Sequence, residues 1–177
     1  REALFEALYQ RSCYATTGER IILGLYLAGV PMGKETSTAE KPGLSVNRHL
    51  TGFAAGTTKL QKVELIRNGQ VIKTFHSDTY HLDFIYDDME QLSKIAIASQ
   101  DKKPPFVYYY LRVVQEDGHA AWSSPIWVDL VPPAPASSKS KIAIKPSVKP
   151  SAKTESFADL EEDFDEDSDF DDFDDDE

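Results

Sequence analysis

Apolar residues recur along this chain in two rhythms. In residues 1–12, Leu4, Ala7 and Leu8 fall at i, i+3 and i+4, the spacing of one helical stripe. Glu2 and Glu6 stand near the start, where the helix dipole favours acids, and Arg11 stands near the end, where it favours a base. A helix this short is marginal in water, so its stripe is expected to pack on something. From Cys13 onward the rhythm shortens to two. Residues 13–16 read as a short strand closed by Thr16-Thr17-Gly18. In 20–28, Ile21, Leu23, Leu25 and Leu27 share one face, while Ile22, Gly24 and Tyr26 take the other. Gly29, Pro31 and Gly33 break that strand, and the polar stretch 34–42 reads as a loop. Alternation returns through Leu44, Val46 and Leu50, after which Gly52 and Gly56 read as loop glycines.

The sharpest local signal is Asn68-Gly69 between the β-prone runs 62–67 and 70–75. It predicts a hairpin with a type I′ turn, because both central residues need positive φ. Tyr80, Leu82, Phe84 and Tyr86 form another alternating face, ended by a turn at Asp87-Asp88. Residues 95–98 suit a short strand. Residues 106–115 suit a long aromatic one, turned by Asp117-Gly118, and 122–128 return as the last, bulged or at an edge because Pro125 has no amide to donate. About seven strands at this spacing predict a mainly β fold: an antiparallel, immunoglobulin-like β-sandwich preceded by one helix and followed by a disordered tail.

Charge changes the picture after residue 131. Of the 177 residues 30 are acidic and 19 basic, a net charge of -11, but 15 of the acids lie in 155–177 with no base among them. Residues 1–131 hold 14 basic and 15 acidic residues and are nearly neutral. Residues 132–154, rich in Pro, Ser and Lys, read as a linker. Residues 155–177 read as a disordered acidic tail, with Phe157, Phe164, Phe170 and Phe173 set into it. Its field would attract a basic protein or divalent cations and repel nucleic acid. Cys13 is the only cysteine, so no internal disulfide forms. No apolar run approaches the roughly 20 residues that a membrane helix needs, so a soluble chain with no membrane partner is expected; the chain starts inside an amphipathic segment, so the compartment stays open.

Candidate chemistry is sparse. His49, His76, His81 and His119 stand apart, with His81 and Asp83 a weak pair on one strand face. Asp87 and Asp88 are too few for a calcium cage of six to eight oxygens. Ser123-Ser124 has no base beside it in sequence and suits a bulge before Pro125 better than a nucleophile. Tyr108 and Tyr110 point opposite to Tyr109, so at least one set faces a core; with Trp122 and Trp127 these rings pose a choice between core packing, which is favoured, and a sugar-stacking platform. No catalytic residue and no metal ligand is assigned.

Three blocks carry a resemblance: residues 1–8 with 13–18, residues 63–69, and residues 122–127. Together they resemble the C-terminal part of a bacterial family catalogued as domain of unknown function 3604, which is similar to the PHP (polymerase and histidinol phosphatase) metal-dependent hydrolases. The resemblance implies that residues 1–33 end an upstream PHP-like domain and that 34–131 form a companion sandwich. It implies an upstream catalytic domain as partner, holding a divalent metal and performing metal-assisted hydrolysis, of a phosphoester for example. On position alone, Arg11, Thr16, Thr17 and Gly18 would line the rim of its substrate pocket. The alternative is a non-catalytic β-sandwich interaction module whose tail binds basic partners.

Overall fold

The alternating residues build two stacked sheets: each strand offers one apolar face, and with only short helices among the described residues a second sheet covers it. A computed structural model describes residues 1–132, which fall within one compact unit, Arg1–Ser138. The tail and all but the first residue of the linker lie outside the described residues. One sheet has the order β3-β2-β5-β8, antiparallel throughout, from β2 (Ile22–Leu27), β3 (Val30–Pro31), β5 (Arg48–Ala55) and β8 (His81–Asp88). The other is centred on β9 (Phe106–Gln115). On one side β9 pairs with β6 (Leu60–Arg67), which pairs with β7 (Gln70–His76). On its other side β10 (Ala120–Ser123) and β11 (Ile126–Asp129) follow end to end. They carry β1 (Tyr14–Thr16), antiparallel to β10, and β4 (Glu35–Ser37), parallel to β11. Helix α1 (Glu2–Tyr9) precedes this sandwich and α2 (Leu92–Ile95) joins β8 to β9. The fold is mainly β, as the alternation predicts, and its strand order is compatible with an immunoglobulin-like connectivity.

Leu25, Leu27 and Leu50 from the first sheet meet Leu65, Leu111 and Val113 from the second in one buried cluster. The hairpin forms as expected: Asn68 and Gly69 have φ of 50° and 79°, and Arg67 pairs with Gln70. Asn68 does more than turn the chain. Its Nδ2 donates to Ile95 O at 2.7 Å and its Oδ1 accepts from Tyr108 N at 3.2 Å, tying the turn to two neighbours. Asn68→Ala is expected to cost about 1–3 kcal/mol through positive φ and the lost bonds. Asn68→Gly keeps the turn and should still lose stability in urea titration; a neutral glycine variant would confine the role of Asn68 to its φ.

Several expectations are corrected. Residues 14–33 do not lie outside the sandwich: β1, β2 and β3 are strands of its sheets, and Ile21, Leu23, Leu25 and Leu27 sit in the core. The sandwich therefore begins well before the expected boundary at 33/34. The polar loop 34–42 contains β4, whose Thr36 is 5% exposed; a three-residue strand of Glu, Thr and Ser has no apolar rhythm to announce it. Leu44 lies in a 3-10 turn, Pro42–Ser45, not in a strand. Gly52 is not a loop residue but sits mid-strand in β5, where the Phe84 ring and the Gly24 carbonyl leave no room for a Cβ. Residues 95–98 contribute the end of α2 and a single bridge, Ile97 to Phe106, rather than a strand. Pro125 acts as expected, splitting the last strand into β10 and β11.

Candidate functional site

Strand parity sorts the three tyrosines of β9. Tyr109 is fully buried, so Tyr108 and Tyr110 stand on the outer face of the sheet. Their rings lie parallel, 9° apart with centroids at 6.3 Å, and Phe106 continues the row at 6.3 Å from Tyr108. Trp122 pairs with Arg112 and Trp127 with Tyr108 across the strands, which puts both indoles on the same face. The core accounts for Tyr109 alone; the other five rings form an outward aromatic ribbon. Beside it Glu64 receives Arg112 Nε at 2.6 Å and Lys62 Nζ at 3.0 Å. The hydrogen bond from Arg112 holds the Glu64 carboxyl below its usual range despite burial.

Helix α1 is tied to this face at its C-terminal end. Arg11 N–H bonds Leu8 O and Ser12 N–H bonds Ala7 O, the paired closure of a Schellman motif. Glycine usually takes the left-handed position in that motif, but here Arg11 holds it, at φ 56°. The strain, about 1–2 kcal/mol, accompanies three contacts that a glycine could not make. Arg11 Nε donates to Gly33 O at 2.9 Å, Arg11 Nη1 pairs with Glu35 Oε1 at 2.9 Å, and the guanidinium stacks 4.8 Å from the Trp127 ring centroid. Gly33, at φ 84°, packs against the Arg11 carbonyl where a Cβ would clash. The rest of the helix projects its apolar stripe into solvent: no α1 residue is buried, and Leu4, Phe5 and Leu8 are 66%, 69% and 58% exposed.

A cavity of about 230 Å³ opens beside Trp127. Trp127, Phe106 and Pro104 form its apolar walls, and Glu35, Asp101, Lys103 and Asp129 its polar rim. Partial burial, then the nearby Glu35 charge, raise the Asp129 carboxyl above its ordinary value, and only Lys103 works against them.

Of the residues expected at a substrate rim, only Arg11 approaches a cavity wall. Thr16, Thr17 and Gly18 sit at the end of β1, where Thr17 Oγ1 meets His119 Nδ1 at 2.9 Å and Gly18 N–H bonds Thr16 Oγ1 at 3.3 Å. The structure does not bring these three together with Arg11. Other candidates are held in structural bonds. Ser123 Oγ accepts from Leu111 N at 2.9 Å, and Ser124 Oγ donates to Cys13 O at 2.7 Å. His81 and Asp83 are exposed and 3.5 Å apart. Asp87 receives His49 Nδ1 at 2.8 Å, a cross-strand pair that sequence spacing hides.

Asp88 is no turn residue. It is 2% exposed at the end of β8 and forms the centre of a network. Arg48 Nη2 lies 3.1 Å from Asp88 Oδ1; Arg67 Nη1 donates to Oδ2 at 2.8 Å and the Tyr109 hydroxyl donates to Oδ2 at 2.6 Å. Arg48, fully buried, also donates to Tyr109 Oη, Leu44 O and Glu90 O. Burial pushes the Asp88 carboxyl up, but the bonds from Tyr109 and Arg67 and the Arg48 charge outweigh it, and its pKa falls below the ordinary value. Among the described residues no three His, Cys, Asp or Glu side chains converge to hold a metal ion. No helix among the described residues is long and apolar enough to cross a membrane.

Fold and face together define a two-sheet β-sandwich module with an outward aromatic ribbon and a tethered, uncovered helix. No protein-family model matches the chain. It is similar to an uncharacterized protein of Chlamydia pneumoniae, 57% identical over 130 residues that cover 73% of this chain and 21% of that protein. Proteins of Chlamydia trachomatis and Chlamydia muridarum, likewise described as uncharacterized, are 51% and 52% identical over the same shares. The chain spans about a fifth of the length of the curated relatives it matches.

Proposed function

We propose that this β-sandwich is a non-catalytic companion module of a longer polypeptide and that α1 is the peg by which it docks onto the remainder. The carrying observation is α1 itself. Eight residues cannot hold a helix in water without a packing surface, yet Leu4, Phe5 and Leu8 face solvent while Arg11 fixes the direction in which the helix leaves the sandwich. Relatives about five times the length of the matched segment supply a natural source for the missing surface. In this reading metal-assisted hydrolysis, with its divalent metal, belongs to the remainder and follows from the family resemblance alone. The acidic tail, as a site for a basic partner or divalent cations, is a second and separate proposal resting on its charge.

Amide exchange tests the docking. In the 177-residue chain alone, α1 amides should exchange at close to unfolded rates, while β9 amides exchange slowly. In the longer polypeptide, protection of α1 should rise by at least about tenfold, equivalent to about 1.4 kcal/mol of local stability. Phe5→Ser with Leu8→Ser should abolish that gain without moving the Tm of the isolated chain. Equal exchange of α1 in both contexts sinks the proposal.

A further inference from the structure

We infer that the cavity beside Trp127 is a carbohydrate-binding subsite, taking one sugar ring against the indole and Phe106 with its hydroxyls on Asp129, Glu35, Asp101 and Lys103. It is independent of the docking of α1.

A sugar ring has two demands. Its C–H face needs an apolar plane, and its hydroxyls need convergent acceptors with a donor or two. The cavity supplies both within about 230 Å³, with rings on the wall and ionised groups on the rim. The acceptors are available. Among the described residues no side chain donates a hydrogen bond to the Asp129 carboxylate; the Thr38 donors go to its backbone oxygen instead, N–H at 3.0 Å and Oγ1 at 3.4 Å. A carboxylate that is partly desolvated beside a like charge gains from each hydroxyl that donates to it.

The wall is held in place. Trp127 lies on β11 between β9 and β4, so its backbone is fixed on both sides. Arg11 stacks on the indole and does not line the cavity, and its pair with Glu35 Oε1 leaves Oε2 of that carboxylate for a ligand. Arg11 is thus a positioning residue for both. The rings of Tyr108 and Tyr110 belong to the same face but not to the cavity lining, so recognition is confined to a single ring rather than an extended chain. One bound ring with three or four hydrogen bonds implies a dissociation constant on the order of 1 mM, about −4 kcal/mol.

The test is a heteronuclear NMR titration of the full chain with glucose, galactose and N-acetylglucosamine separately, each to about 100 mM. At least one should shift the amides of Phe106, Trp127 and Asp129 saturably, leaving Leu25 and Leu65 unmoved. Asp129→Asn keeps the side-chain volume and should weaken that binding at least tenfold, with an unchanged melting temperature. Trp127→Ala should do the same; if it fails to fold, Asp129→Asn decides alone. The inference is overturned if none of the three sugars shifts the cavity amides, if Asp129→Asn binds as well as the parent, or if N-acetyl-lysine methylamide occupies the cavity and the sugars do not. The last outcome would make it a pocket for a cationic side chain.

Discussion

Asp88→Asn is expected to destabilise the sandwich by about 3–5 kcal/mol, the range for breaking a buried ion pair by removing one partner. The substitution leaves two arginines facing a neutral amide. Arg48 has no exposure and cannot turn to water for compensation, and Arg67 is 14% exposed. Tyr109, whose ionisation burial and the Asp88 bond oppose, keeps only a neutral amide oxygen to donate to, one that both arginines also compete for. The loss should appear as a lower urea midpoint with an unchanged m-value. It should also depend on pH. The Asp88 carboxyl ionises more readily folded than unfolded, so its contribution is present above the unfolded value near 3.9 and is lost as pH falls through the lower folded one. The gap between parent and variant should therefore be full at pH 7 and shrink below about pH 4. A gap that widened in acid would mean that Asp88 is protonated in the fold and the network is wired differently.

Gly52→Ala is expected to cost about 3 kcal/mol, the upper end for forcing a methyl into a packed core. A Cβ at this site would stand 2.6 Å from Phe84 Cζ and 2.7 Å from the Gly24 carbonyl oxygen. The ring can be trimmed but the carbonyl belongs to the neighbouring strand. Phe84→Leu should therefore recover part of the loss, and the double variant should be less destabilised than the two singles together by at least about 0.5 kcal/mol. Thermal melts of the four proteins measure this directly. Strict additivity would show that the ring is not what excludes the methyl.

How far these features could be read in advance follows from where their causes lie in the chain. The face of β2, the Asn68-Gly69 turn and the break at Pro125 were legible because a period of two, a positive-φ pair and a missing amide are local facts. The extent of β5 through Gly52 was not, since its reason is a ring 32 positions onward in β8. Strand β4 was hidden because its pairing partner, β11, follows about 90 residues later and its own residues are polar. Asp88 sat in an Asp-Asp pair that reads as a turn; Arg48, Arg67 and Tyr109 meet it only after four strands have closed. Arg11 was singled out by its position, but its role as a clip needed Gly33, Glu35 and Trp127 brought to one corner. The aromatic ribbon was half legible: parity separates Tyr109 from its neighbours, but parity alone does not say which set faces the core.

The two strands nearest the ends of the sandwich would respond differently to tension. Strand β1 runs antiparallel to β10, so pulling the chain apart along its length loads their bonds in succession, and β1 peels away as a zip does. Strand β4 runs parallel to β11 and is reinforced by Thr38, which exchanges hydrogen bonds with Val131. The same pull loads that seam in shear, with all its bonds resisting together. Joined into a longer polypeptide, the sandwich would give up β1 as slack, pass the load next to β2 in the other sheet, and only after β2 and β3 to the β4–β11 seam.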